Sequence, residues 1–142
     1  MKRPVFVTVT GAGPGEKPSV SAGPGTREEL PDGTCVIVFR EQPEGSDETF
    51  STTVTAAPDS LVIERTGSVS CRFVFAEGQT HPAEYVTPYG TAFLRLRTDR
   101  LQVRAGTAGL FAAVRFALFS EENGPAEDRQ VTVRAMGHGK TG

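Results

Sequence analysis

The 142-residue chain has no tryptophan, two cysteines, two methionines and two histidines. Two cysteines cannot build the multi-bridge framework of a small secreted domain. The soft metal ligands Cys35, Cys71, His81 and His138 are scattered with no paired spacing, so neither a metal nor another cofactor is expected. No apolar run approaches the ~20 residues of a membrane-spanning helix. The start, Met1-Lys2-Arg3-Pro4-Val5, carries charge but no following apolar segment, which argues against a secretory leader and for a reducing, cytoplasmic setting. Charge of one sign is also lacking. The formal net charge is −2, with acids and bases interspersed, so a nucleic-acid partner is not expected. Nor does any segment show a convincing helical period.

What the chain does have is turn residues and alternation. Sixteen glycines and ten prolines suit a chain that reverses often. Val5, Val7 and Val9 alternate with Phe6, Thr8 and Thr10. Val69, Cys71, Phe73 and Phe75 alternate with Ser70, Arg72 and Val74. Ala92, Leu94, Leu96 and Thr98 alternate with Phe93, Arg95 and Arg97, and Val131 and Val133 with Thr132 and Arg134. A strand of this kind buries one face and wets the other. Pro31-Asp32-Gly33, Pro58-Asp59, Gly67, Glu77-Gly78, Thr87-Pro88-Tyr89-Gly90 and Asn123-Gly124 separate the runs. Phe111 to Leu118 fits a strand buried on both faces. The pattern predicts a single all-β domain over 1–142, a closed antiparallel barrel of eight to ten strands. Cys35 and Cys71 are expected to be reduced and inward-facing. Gly11 to Gly25, with almost no large apolar residue, is expected to be a mobile loop over one barrel mouth or a weak, irregular strand. The tail from 137 to 142 is expected to fray.

Motifs that suggest catalysis fail on context. Gly11-Ala12-Gly13-Pro14-Gly15 resembles a phosphate loop, but Pro18 and further glycines follow where a helix must start. Gly139-Lys140-Thr141 resembles the end of a Walker A loop, but Arg134 stands where its first glycine belongs. No catalytic residue is assigned.

The charges on apolar faces say more. Arg65 shares a face with Leu61 and Ile63, and Glu41 shares one with Ile37 and Phe39. If those faces line the interior, both charges point into or near the lumen and need partners. They form a mutual ion pair at the barrel end, or Arg65 binds an anion in a ligand cavity. Arg65, Glu41 and Tyr85 are the candidate binding residues. Arg95 and Arg97 belong to the outer face.

Ile63-Glu64-Arg65-Thr66-Gly67, then Phe73-Val74-Phe75-Ala76-Glu77-Gly78, then Tyr85-Val86-Thr87-Pro88-Tyr89-Gly90, follow one another in an order that resembles the YwiB-like family of small uncharacterised bacterial proteins. The likeness continues through Leu94-Arg95-Leu96-Arg97-Thr98 and includes Phe39-Arg40-Glu41. It covers roughly the last three-quarters of the chain and departs from the family at Gly11 to Gly25. The resemblance implies a calycin-like barrel, the shape of lipocalins and fatty-acid carriers, and carries over no activity or catalytic residue. Two function classes follow: a barrel that binds a small molecule or peptide in its lumen, or an enzyme with a site at the mouth using Arg65, Glu41 and Tyr85. A third is an interaction scaffold whose lumen its own side chains fill. An open, polar cavity favours the first two and a dry lumen the third.

Overall fold

Connections of two to six residues reverse the chain after each strand, so each strand pairs with the one before it. In the computed structural model, which describes residues 2–13, 15–120 and 125–137, these residues form ten strands and no helix. They are β1 (Lys2–Ala12), β2 (Ser19–Glu29), β3 (Cys35–Pro43), β4 (Phe50–Ala57), β5 (Ser60–Thr66), β6 (Ser70–Phe75), β7 (Thr80–Thr87), β8 (Gly90–Ala105), β9 (Gly109–Phe119) and β10 (Ala126–Gly137). Every neighbouring pair is antiparallel, and β1 pairs with β10 to close the barrel. The β2–β3 turn shows the local chemistry. Asp32 accepts a hydrogen bond from the Thr34 amide at 2.9 Å, and Gly33 takes a φ of 91° that side-chain-bearing residues avoid.

The lumen is divided. The end carrying the β2–β3, β4–β5, β6–β7 and β8–β9 turns is filled by Val5, Ile37, Val54, Leu61, Phe75 and Leu110, all at most 3% exposed. Phe75 packs edge-on against Phe116, with ring centroids 5.0 Å apart. Arg27, 2% exposed, faces inward opposite Ile37, and its nearest carboxylate is Glu29 at 3.6 Å. Glu29 also receives Arg3 at 3.0 Å. The ladder between β6 and β7 is short, Ser70 with Val86 and Cys71 with Tyr85. Below it, Thr98 of β8 ties down the β6–β7 turn, its amide donating to the Gln79 carbonyl and its hydroxyl accepting from the Ala76 amide. A bulge between Thr98 and Arg100 shifts the phase of β8.

The expected barrel is present with ten strands, and Phe111 to Leu118 is strand, though it is not buried on both faces as expected, because Arg115 is exposed on its outer side. Of the two readings of Gly11 to Gly25, the loop needs correction and the irregular strand is what forms, because the β1–β2 connection spans only 13–18 and Ser19 to Gly25 is paired strand. Its inward positions are Ser21, Gly23, Gly25 and Arg27, so no apolar alternation can appear. A Cβ on Gly23 would overlap the Arg40 carbonyl, and one on Gly25 the Val38 carbonyl and Phe39. The glycines let the β3 backbone approach closely there, and the β2–β3 ladder lapses at Gly23 and Pro24. Gly137 is the last residue of β10, and the rest of the expected frayed tail, with His138, lies outside the described residues, as does Asn123-Gly124. No described helix is long and apolar enough to cross a membrane.

Replacement of Gly23 by alanine is therefore expected to cost about 1–3 kcal/mol of unfolding free energy. The same change at Gly11, where the nearest atoms to a Cβ lie at 3.7 Å, should be neutral or stabilising by up to about 1 kcal/mol. Urea unfolding of both variants checks the difference.

Candidate functional site

The other end of the barrel is open. Register places Thr52 opposite Arg65, Arg65 opposite Cys71, Cys71 opposite Tyr85 and Tyr85 opposite Ala92. These five inward positions form one row across β4 to β8. Glu41, near the end of β3, reaches into that row. Its Oε1 accepts from the Thr52 hydroxyl at 2.8 Å and from Arg65 Nε at 3.1 Å, and its Oε2 accepts from Arg65 Nη2 at 2.8 Å. The carboxylate is fully buried, whereas the arginine side chain keeps 28% of its surface exposed. Arg65 also lies over the Phe50 ring, 5.1 Å from its centroid. A two-pronged pair on a buried carboxylate fixes the guanidinium plane. No described residue accepts from Nη1, which remains free to donate.

Arg65, Glu41 and Tyr85 all line one cavity of about 570 Å³ at this mouth, to which Glu16, Lys17, Ser120 and Pro125 also contribute. Its apolar wall is Val9, Phe73, Leu94, Phe116, Leu118 and Val131. The Tyr85 hydroxyl makes no hydrogen bond to a described residue. Arg129, which the sequence reading missed, faces the same space and pairs with Glu127 at 2.8 Å and Glu16 at 3.8 Å. The signal for it was available: Val131 and Val133 set the inward face of β10, and counting back by two reaches 129. The site is thus amphipathic, with a firmly oriented donor at one side and a broad apolar wall at the other.

The chemistry favours holding over transforming. Glu41 spends its oxygens on three donors, so it is poorly placed to take a proton from a substrate. Cys71 stands in the row, but burial pushes its thiol up from the ordinary cysteine value, with Glu41 adding to the rise and Arg65 opposing it. A protonated thiol is a weak nucleophile. Both Cys35 and Cys71 are free and face inward, the first buried and the second half-buried. His81 faces the interior opposite Leu96, away from the cavity lining. Among the described residues no group of three or more His, Cys, Asp and Glu could hold a metal ion.

Comparison with known proteins agrees with the fold. A family model described as a domain of unknown function, DUF1934, matches residues 15–132. The crystal structure of the ywiB protein from Bacillus subtilis is similar over 97% of this chain and 94% of that chain, with a TM-score of 0.79 and 15% sequence identity. None of the curated proteins matches.

Removing Arg65 leaves a buried carboxylate with one hydroxyl partner. Arg65→Ala is expected to cost about 3 kcal/mol, against about 1 kcal/mol or less for Arg97→Ala, whose partner Asp99 is exposed. Chemical denaturation compares the two. Alkylation of Cys71 in the native protein should run slower at mildly alkaline pH than that of a free cysteine, and mass spectrometry of the labelled chain measures it.

Proposed function

The chain belongs to the DUF1934 family, and we propose that it is a binding protein for a small amphipathic molecule held at the open mouth of the barrel. The ligand lays its apolar body against Phe73, Phe116 and Leu118 and turns a hydrogen-bond acceptor toward Arg65. The observation that carries this reading is the pairing of Arg65 with a buried, saturated Glu41. That pairing leaves Nη1 oriented and unspent at the edge of a cavity with an apolar wall. A guanidinium fixed in advance loses little freedom when an acceptor arrives. The cavity is within the size range of small-molecule sites, roughly 300–1,000 Å³.

An enzyme at the same mouth has less support. It needs a group that changes protonation or attacks, and the residues nearest Arg65 are a locked carboxylate and a thiol kept protonated by burial. A filled-lumen scaffold accounts for the packed half of the barrel and leaves the open half unexplained.

Anilinonaphthalene sulfonate, which joins a sulfonate acceptor to an aromatic body, is the probe. It should bind with one-to-one saturation and enhanced fluorescence, and native mass spectrometry should detect a displaceable small molecule on protein purified without added ligand. The double variant Glu41→Gln/Arg65→Gln removes both charges together, so neither is left buried alone. It should stay folded and bind the probe at least tenfold more weakly, a loss of about 1.4 kcal/mol. Leu94→Trp should fill the cavity and abolish binding. Unsaturable fluorescence, or equal affinity in all three proteins, would overturn the proposal.

A further inference from the structure

The outer face of β8 carries a line of arginines that the barrel does not use. Before the bulge, Phe93, Arg95 and Arg97 point outward. The extra residue at Asp99 then re-phases the strand so that Arg100, Gln102 and Arg104 continue on the same face. Without that shift Arg100 and Arg104 would face the core. The line from Arg95 to Arg104 runs roughly 30 Å. Neighbouring strands thicken it. Arg115 of β9 stands directly opposite Arg100, and Arg134 of β10 stands across Phe111 from Arg104.

Arg95, Arg100, Arg104, Arg115 and Arg134 are exposed, and none of their guanidiniums forms an ion pair or hydrogen bond with another described residue. The carboxylates beside this line are Asp99, taken by Arg97 at 2.7 Å, Glu77, which accepts from the Leu101 amide at 2.9 Å, Glu84, opposite Phe93, and Asp128, opposite Ala117. Like charges set directly across a ladder destabilise it, so the Arg100–Arg115 pair is a cost with no internal return. The whole chain is nonetheless acidic, with a net charge of −2. Aromatic rings are interleaved with the arginines. Phe93 is 69% exposed, Arg97 lies 5.6 Å from the Phe119 centroid, and Arg134 lies 5.6 Å from the Phe111 centroid. Shallow depressions mark the face, among them one of about 470 Å³ lined by Asp99, Arg115 and Asp128. Another of about 380 Å³ lies between Arg100 and Arg115 over Ala113 and Thr132, and one of about 560 Å³ between Arg104 and Arg134 over Phe111.

We propose that this face binds single-stranded nucleic acid, the arginines meeting successive phosphates along β8 and Phe93 and the guanidinium planes stacking on bases. A linear polyanion matches a line of charge along one strand, and the aromatic and guanidinium planes beside it supply the stacking that sequence-tolerant strand binders use. A bilayer fits less well, because Phe111 and Phe119 are half-buried beneath guanidiniums and cannot insert. An acidic polypeptide matches the charge and gives the rings nothing to do. This surface is separate from the mouth cavity, and the inference stands without the ligand reading.

Fluorescence anisotropy with labelled oligouridylate and oligothymidylate of roughly 12 nucleotides tests it. Binding is expected at about 50 mM salt and should weaken log-linearly as salt rises. Arg100→Gln/Arg115→Gln should lower that slope by about one per arginine while leaving the melting temperature equal or higher. Phe93→Ala should weaken binding with the slope unchanged. Absence of binding at low salt, an unaltered slope in the double variant, or poly-glutamate binding as tight as the oligonucleotide and indifferent to Phe93→Ala would each overturn the proposal.

Discussion

Closure of the sheet through the β1–β10 ladder is the constraint from which the rest follows. Once no edge is left, each strand residue points into the lumen or out to the surroundings, and the choice is set by register. Eight strands enclose a space that side chains just fill, and diameter grows with strand number. Ten strands enclose more than the available Val, Leu and Phe can occupy along the full length. The packed half takes the bulk of the large residues, and the half beyond Phe73 and Phe116 is left with a cavity. The opening is therefore a consequence of strand number and of where the large side chains run out.

Inside this barrel, charge is handled with care. Glu41 has no access to solvent, yet three donors reach its two oxygens, from β4 and β5, the two strands that follow β3. The triad depends on three separate alternations agreeing in phase, so that positions 41, 52 and 65 face the same way at nearly the same height. A one-residue slip in any of the three would turn one member outward and strand the others in a low-dielectric interior. The pair thus ties register to polar satisfaction.

The sequence made much of this legible. Alternating or apolar runs located seven of the ten strands, and the positions of Arg65 and Glu41 on those faces were enough to foresee their meeting. β4 and β7 were not singled out, and β2 was obscured outright, because its inward face is Ser21, Gly23, Gly25 and Arg27. There the ladder on both sides holds the chain in place of apolar burial, and glycine is required because the β3 backbone comes too close for a Cβ. Arg129 was obscured for a related reason: the first half of β10 lacks alternating apolar residues of its own, and its phase comes from Val131 and Val133 downstream. The arginine face was obscured by averaging. A net charge near zero says nothing about segregation, and the spacing Arg95, Arg97, Arg100, Arg104 reads as irregular until a bulge absorbs the odd step.

That bulge also separates two surfaces that share the same strands. Leu94 of β8 and Leu118 of β9 face the cavity, while Arg95 and Phe119 beside them face outward. Above the bulge the inner side of the strand is the cavity wall, and below it Leu101 and Val103 pack against the filled core. The outer side runs on past both. Adding one residue at Asp99 costs a ladder step, compensated in part by the tie between Thr98 and the β6–β7 turn. In exchange the inner face stays apolar and the outer face stays basic over the full length of the longest strand. A regular β8 of the same sequence would have to bury Arg100 and Arg104 against Leu110 and Val114. No carboxylate among the described core residues stands near to meet them there, so the irregularity is what makes this sequence compatible with a closed barrel.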